Sequence, residues 1–138
     1  MRLVVMLACC FVAGCSTFMS KAHNNCTAPA AQPLTRIELF FGRDIPGRAP
    51  LTDAEWTDFA AQIITAQFPD GFTVYDGEGQ WFDQRTGRLI REKSKILIAA
   101  ADPDSDLASR IGAVTDAYRQ RFHQQSVGIL TTSSCGAF

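Results

Sequence analysis

The chain has 138 residues, a length that fits one domain, and 46% of them are hydrophobic, which is enough for a buried core. The formal net charge of −1 gives no general field that would attract nucleic acid, so no nucleic-acid partner is expected. The sequence therefore predicts a single globular unit of ordinary composition.

The N-terminus has the pattern of a bacterial lipoprotein signal. Arg2 precedes an apolar run, Leu3 to Val12, that is too short to span a bilayer but suits a signal-peptide core. The stretch Val12-Ala13-Gly14-Cys15 resembles a lipobox, where cleavage precedes a lipidated cysteine. We expect residues 1–14 to be the signal peptide and Cys15 to carry more than one acyl chain, such as palmitate, because one chain anchors only marginally.

The residue after the lipobox cysteine also indicates where the lipoprotein is located. Ser16, rather than aspartate, follows the cysteine, which in Gram-negative lipoproteins implies sorting to the outer membrane, facing the periplasm. Residues 15–34 are small and polar and show no hydrophobic period, so they are predicted to be a tether between the lipid and a domain at 35–138.

The cysteines predict one disulfide. Cys9 and Cys10 would leave with the signal peptide and Cys15 would carry lipid, so Cys26 and Cys135 remain. Two thiols in an oxidising compartment most simply pair with each other. The spacings that mark zinc sites and the hydrolase nucleophile motif are absent from the sequence, so no metal, cofactor or catalytic residue is assigned.

The first part of the domain predicts a strand and a helix. Alternating apolar residues favour a strand over Thr35 to Phe41, and the segment Gly42 to Pro50 has loop composition. Thr52 and Glu55 form a capping-box pattern that begins a helix. The helix should end at about Gln67, because the proline two residues later disfavours helical geometry just before it.

The second part predicts a hairpin, a helix and a last strand. Phe72 to Ala101 is rich in β-branched and aromatic residues around a glycine-containing turn, and the Gly77-Glu78-Gly79 stretch is interpreted as a bulge or bend. Asp102 as N-cap and Pro103 at the first helical position predict the start of the second helix. Its apolar stripe is Leu107, Ile111, Val114, Tyr118 and Phe122, and a strand from Ser126 to about Thr132 follows.

The order strand-helix-strand-strand-helix-strand predicts a ferredoxin-like α+β fold. Such a β-α-β-β-α-β chain forms a four-stranded antiparallel sheet with two helices on one face. The other face is left open. We expect function or dimerisation to be found there.

Four stretches resemble one known family: RIELFFG, WTDF, FPDGFTVYDGEGQW and REKSK. Over Arg36 to Phe138 the chain resembles a family of small bacterial lipoproteins known as a domain of unknown function, number three-five-seven-four. Lys93 stands where proline is expected in that family. The resemblance implies no established activity, so no functional residue is carried over from it.

The polar and aromatic residues selected as a candidate ligand site or interface are Arg36, Glu38, Phe40, Tyr75, Arg91 and Lys95. Arg36 and Glu38 would share the open face, where Glu38 could be a base and Arg36 an anion clamp. The alternative is a stabilising cross-strand network, for example between Glu38 and Lys95. The basic residues near Arg91 are more simply a solvated part of the hairpin.

Two function classes stay open. The first is a non-enzymatic envelope lipoprotein that acts as a binding or interaction module. The second is a small enzyme or ligand-binding protein that uses the open sheet face of a homodimer, with Phe40 in the interface. If the Gly42 to Pro50 loop covered that face instead, a monomer with a small pocket would result. A deep pocket containing Glu38 and Tyr75 would favour the second class, and a flat apolar face the first.

Overall fold

The computed structural model describes residues 26–138, in which four strands and two helices form one α+β domain. The strands are β1 (Gln32–Gly42), β2 (Phe72–Asp83), β3 (Arg88–Ala101) and β4 (Gly128–Gly136). Helix α1 is α-helical over Asp53–Phe59, π-helical over Ala60–Ile64 and α-helical again over Thr65–Gln67, and helix α2 spans Leu107–Phe122. The predicted signal peptide, Cys15 and most of the predicted tether lie outside the described residues.

The sheet has the predicted ferredoxin-like topology. All neighbouring strands are antiparallel, in the order β2-β3-β1-β4, so the second hairpin strand and the first strand of the domain are central. Both helices pack on one face, and the fold prediction is confirmed. No helix within residues 26–138 is long and apolar enough to cross a membrane.

The core lies between the sheet and the helices and is dominated by aromatic rings. Phe41 of β1 contacts Tyr118 of α2 edge-on, with ring centroids 4.7 Å apart, and Phe59 of α1 is 5.2 Å from Tyr118. The Tyr118 hydroxyl donates to the carbonyl of Gly42 at 2.8 Å, so this ring also fixes the end of β1. Burial strongly raises the pKa of Tyr118, which keeps this hydroxyl a donor.

The capping box at the start of α1 is present as predicted. The Thr52 hydroxyl accepts from the Glu55 amide at 3.2 Å, and Glu55 Oε2 accepts from the Thr52 amide at 2.9 Å. The bond from the Thr52 amide, with further bonds from Arg48 and the Thr52 hydroxyl to the carboxylate, lowers the pKa of Glu55 to about 2. Such a cap stabilises a helix by about 1 kcal/mol.

The second helix begins later than predicted. It starts at Leu107, so Asp102 and Pro103 are not its first residues. The reason lies in Asp104, whose carboxylate accepts from the Asp106 amide at 3.0 Å and from the Arg110 guanidinium at 3.0 Å. This side chain gives the backbone a turn that competes with the helix.

Both strand ends near the termini extend further than predicted. β1 begins at Gln32, inside the predicted tether, and β4 continues to Gly136, because these two residues pair with each other. The predicted bulge in β2 is absent: the pairs Gly77–Ser94 and Gly79–Glu92 keep an unbroken register.

A disulfide joins Cys26 to Cys135, with Cα atoms 5.6 Å apart. Cys135 lies in β4 and pairs with Pro33 at the beginning of β1. The bond therefore ties the chain that enters the domain to the C-terminal edge strand.

Candidate functional site

The face of the sheet away from the helices is uncovered and carries several exposed apolar side chains among polar ones. In the centre, Phe40 of β1, Ile96 of β3 and Tyr75 of β2 lie side by side in neighbouring strands. Tyr75 is 53% exposed, Trp81 48% and Leu130 57%. This is the open face, and any partner that covers it would meet these side chains.

A cleft of about 430 Å³ opens on this face, at the end where β1 finishes. Phe40 and Trp81 contribute aromatic rings to its lining, and Glu92 and Ser94 of β3 contribute polar groups. The rest comes from glycines of the strands, from the loop after β1, and from residues 123–126 before β4. We call this space the Glu92 cleft.

Two glycines give the Glu92 cleft its shape. A Cβ atom on Gly42 would lie 2.2 Å from Glu92 Oε1, so only glycine lets the carboxylate fold over this position. A Cβ atom on Gly79 would meet nothing closer than the Glu92 backbone oxygen, at 3.8 Å. The missing side chain at Gly79 therefore leaves open space beside Glu92, which a larger residue could fill without a clash.

Glu92 is a partly buried carboxylate with few partners. Its Oε1 accepts from the Asp44 amide at 3.2 Å, and within residues 26–138 its side chain forms no ion pair. Burial raises the pKa of Glu92; the Asp44 carboxylate also raises it, while the Asp44 amide opposes the rise. A desolvated acid in a cleft is typical of a functional site.

The loop that supplies Asp44 is held across the mouth of the Glu92 cleft. Gln124 donates its side-chain amide to the Asp44 carbonyl at 2.5 Å, which links the loop after β1 to the segment before β4. His123 ends helix α2 in the left-handed conformation, with φ of 53°, and so turns this segment toward the cleft lining. The rim is therefore built by side-chain contacts rather than left as two free loops.

The other face of β3 carries a different charge cluster, centred on Lys95. Its ammonium contacts Asp53 Oδ1 at 2.8 Å and Asp76 Oδ1 at 2.6 Å, and only 8% of its side chain is exposed. Arg43 lies 3.4 Å and 3.5 Å from the same two oxygens. We call this the Lys95 cluster. It connects the start of α1 to β2 and β3.

Lys95 and its ion-pair partner Asp53 shift each other's pKa values. Burial alone would lower the pKa of Lys95, but hydrogen bonds to Asp53 and Asp76 and their charges outweigh it and raise the pKa. The hydrogen bond from Lys95 lowers the pKa of Asp53. Every charge in the cluster therefore has a partner inside the fold.

The residues selected from the sequence divide between the two faces. Arg36, Glu38, Phe40 and Tyr75 lie on the open face, because the register places them opposite the even-numbered residues of β3. Lys95 pairs with Phe41 and points to the helix side, so the predicted ion pair between Glu38 and Lys95 is wrong.

Glu38 instead pairs with its neighbour on the same strand, since Arg36 Nε lies 3.0 Å from Glu38 Oε1. The two groups considered as base and anion clamp therefore neutralise each other. Arg91 lies on the face opposite Glu92, near the hairpin tip, where it donates to Gln80 Oε1 at 2.8 Å.

A second depression, of about 580 Å³, lies at the other end of the open face. Arg36, Tyr75 and Ile98 are among its lining residues, together with the C-terminal Phe138. Glu38 is not part of this lining, so the structure does not bring Glu38 and Tyr75 into one pocket there.

Residues 36–138 match the family model described as protein of unknown function, DUF3574. The chain belongs to this family. The match begins at Arg36, the fifth residue of β1, and covers the rest of β1, the other three strands and both helices of the DUF3574 domain. No curated protein sequence matches the chain significantly.

The solved structures that resemble the DUF3574 domain include two of a phage SAM lyase. A phage SAM lyase in complex with S-methyl-5'-thioadenosine has a TM-score of 0.56 at 18% identity, with 75% of this chain and 90% of that chain covered. The apo form of a phage SAM lyase has a TM-score of 0.51 at 17% identity, with the same coverage of 75% and 90%. At this identity the likeness shows a shared fold.

Of the residues that line the Glu92 cleft, Phe40 alone is among those selected from the sequence as a candidate site. A signal was nevertheless available, because Glu92 is the one acid in the basic run REKSK and Gly79 and Trp81 stand in the GQW stretch. Alternation along the two arms of the hairpin places Gly79, Trp81 and Glu92 on one face. What the pattern lacks is the position of Gly42 and Asp44, which come from a distant strand end.

Proposed function

We propose that this DUF3574 protein is an outer-membrane lipoprotein that faces the periplasm and binds a small ligand in the Glu92 cleft. The signal pattern ending at Cys15 supports the anchor, and the disulfide between Cys26 and Cys135 fits an exported protein. The observation that carries the binding function is the Glu92 carboxylate, partly buried in a glycine-floored cleft and without an ion pair among residues 26–138.

The size and lining of the cleft fit a small molecule better than a protein segment. Ligand pockets have volumes of about 300–1,000 Å³ and combine apolar walls with a few polar groups. The Glu92 cleft has a volume of about 430 Å³, with Phe40 and Trp81 beside Glu92 and Ser94. The shared fold with a phage SAM lyase assigns no activity by itself, since one fold carries many functions.

The anchor is tested on the membrane fraction. Mass spectrometry should detect a mature protein that begins at an acylated Cys15, and Cys15→Ala should accumulate as uncleaved precursor. A mature chain without acyl groups, or one that retains Met1, would contradict the anchor.

The ligand site is tested by filling the cleft. Gly79→Leu should place a side chain in the open space beside Glu92 and leave the fold intact, because nothing lies within 3.8 Å of its Cβ position. Gly112→Leu is the matched control, since this helix position also has free space and lies outside the cleft lining. The measurement is native mass spectrometry of the full chain, extracted in detergent and incubated with a metabolite extract of the source cells.

A small molecule should be retained by the unmodified chain and by Gly112→Leu and lost from Gly79→Leu. If all three proteins retain the same molecules, or if the unmodified chain retains none, the Glu92 cleft is not a ligand site. The melting temperature of each variant checks that folding is unchanged.

A second candidate for the open face is a homodimer interface, which the exposed side chains favour. Tyr75 and Leu130 are more than half exposed on this face. Exposed apolar surface of this kind is typical of an interaction site. Phe40 is less suited to the interface than expected, because it is half-buried on the sheet. Leu130→Glu should convert a dimer to a monomer in sedimentation, and an unmodified chain that is already monomeric would exclude the interface.

A further inference from the structure

Building on the proposed ligand site, we propose that the Glu92 cleft selects small organic cations that carry apolar substituents, such as quaternary ammonium compounds or amines. The inference rests on the proposed function for the location of the site and adds the chemical class of its ligand. Three observations lead to it: the sign of charge in the lining, the nature of the walls, and the absence of an internal counter-ion for Glu92 within residues 26–138.

The charge of the lining is negative. Asp44 and Glu92 are its acidic residues, and none of the lining residues is lysine or arginine. His123 is the remaining titratable residue of the lining. An anionic ligand would therefore meet like charge in the cleft and find no guanidinium or ammonium to bind it, whereas a cation would be attracted.

Lys95 and Arg43 are paired elsewhere in the fold, and Arg91 and Lys93, the sequence neighbours of Glu92, lie on the opposite face of β3. Lys95 lies on the same strand as Glu92 but on the opposite face, where it contacts Asp53 and Asp76. Arg43 follows Gly42 directly, yet its guanidinium donates to the Leu51 carbonyl at 2.9 Å and faces the same two carboxylates. Neither side chain supplies the counter-ion, so that role is left to a ligand.

The walls distinguish an organic cation from a metal ion. Calcium and magnesium require several oxygen ligands, and within residues 26–138 no group of three or more acidic, histidine or cysteine side chains is placed to hold a metal ion. Trp81 is 48% exposed, and its ring is one of the best partners for a cation with apolar groups. Phe40 adds a second aromatic surface on the other side of the lining. An ammonium group with alkyl or aryl substituents satisfies both the carboxylate and the rings.

Because residue 42 is glycine, the Glu92 carboxylate has room to lie in the cleft lining. Gly42 allows the Glu92 side chain to lie over the strand backbone, so the carboxylate forms part of the cleft lining. The amide of Asp44 holds one oxygen at 3.2 Å, so the group is oriented before a ligand arrives. Such preorganisation lowers the entropy cost of binding.

The test compares cations with neutral molecules of the same shape. Choline is measured beside its carbon isostere, in which the quaternary nitrogen is replaced by carbon, and benzylamine beside benzyl alcohol. Titration calorimetry uses the full chain in detergent, with Glu92→Gln, Gly79→Leu and the control Gly112→Leu. Glu92→Gln keeps the shape of the side chain and an oxygen that can accept from Asp44.

At least one cation should bind the unmodified chain about tenfold or more tightly than its neutral partner, as expected for a charge-assisted contact. Glu92→Gln should remove that preference and leave the affinity for the neutral partner unchanged. Gly79→Leu should weaken both members of the pair, and Gly112→Leu neither.

Equal affinity for the two members of both pairs, a preference that survives Glu92→Gln, or no binding of either cation would overturn the inference. The proposed function fails separately, if the cleft-filling Gly79→Leu has no effect on retention of molecules from the metabolite extract. A neutral or anionic molecule that is lost from Gly79→Leu would leave the ligand site standing and its cation selectivity wrong.

Discussion

Lys95 and Glu92 are charged residues of the same strand that lie on opposite faces of the sheet. They differ in whether the fold supplies a partner for the charge. Lys95 is nearly buried and has two carboxylates within 2.8 Å. Glu92 is partly buried and accepts one amide hydrogen bond, with no cation beside it among residues 26–138. The covered face thus completes its ion pairs within the fold. The open face leaves a carboxylate that has no ion-pair partner among those residues.

The difference shows how to separate a structural charge from a binding one. Both residues carry shifted pKa values, so a shift alone does not distinguish them. Lys95 is surrounded by groups that hold its charge, whereas the pKa of Glu92 is raised mainly by burial. The cause of the shift, and not its presence, distinguishes a charge held by internal partners from a carboxylate that is mainly desolvated.

The largest effect is expected from reversing the charge at Lys95. Lys95→Glu would place a third carboxylate against Asp53 and Asp76 in a nearly buried position, which should lower the free energy of unfolding by about 3 kcal/mol or more. Lys93→Glu is the matched control on the same strand and face, because Lys93 is exposed. Urea denaturation measures both variants. Equal losses would mean that the Lys95 cluster does not stabilise the fold.

A smaller effect is expected from Gly42→Ala, which changes the Glu92 cleft. The added methyl group would occupy the place of the Glu92 carboxylate, whose flexible side chain can swing away. The hydrogen bond to the Asp44 amide should be lost, at a cost of about 1 kcal/mol in the free energy of unfolding. A crystal structure of the variant with Glu92 still bonded to Asp44 would contradict this account of the cleft.

The smallest effect concerns pH, for which the two regions should respond in opposite directions. The raised pKa of Glu92 means that folding favours its protonated form, so this contribution is present below pH 4.5 and is lost as the pH rises through the folded pKa. Glu92→Gln should therefore gain stability relative to the unmodified chain over that rise. Asp44 and His123 also face Glu92, so the comparison is repeated in Asp44→Asn and His123→Gln backgrounds.

The lowered pKa of Asp53 has the opposite sign. Its contribution is present above pH 3.8 and is lost as the pH falls through the folded pKa. Asp53→Asn should therefore differ most from the unmodified chain near neutral pH and least in strong acid. Denaturation series across this range check both slopes, and parallel pH profiles for Glu92→Gln and Asp53→Asn would contradict the assignment of causes.

The features that the sequence predicted are those with local causes. The capping box at Thr52 and the helix end at Gln67 depend on residues a few positions apart, and the hairpin depends on its own turn and alternation. The start of α2 was mistaken because the Asp104 carboxylate offers the backbone an alternative turn, which residue preferences at Asp102 and Pro103 do not reveal.

The candidate site was harder to predict because it is assembled across strands. Placing Lys95 on a face requires the register between β1 and β3, and the simple alternation used for β1 does not carry over to another strand. The setting of Glu92 depends on Gly42 and Asp44, which only the folded sheet brings near it. Phe40 was selected correctly for the open face, since alternation within its own strand was sufficient.

The disulfide sets how far an anchored molecule can reach. Cys26 is bonded to Cys135 at the end of the sheet where β1 begins, and the Glu92 cleft lies at the end where β1 finishes. At about 3.3 Å per residue, the length of β1 separates the two by about 30 Å. If the chain is anchored at Cys15, the segment between the anchor and the disulfide ends at Cys26 and spans at most about 40 Å. Without the disulfide the segment would extend to Gln32, the first residue of β1, and would span at most about 60 Å. In a molecule anchored as proposed, the disulfide would limit the distance between this end of the domain and the bilayer, and the Glu92 cleft would lie at the other end of β1.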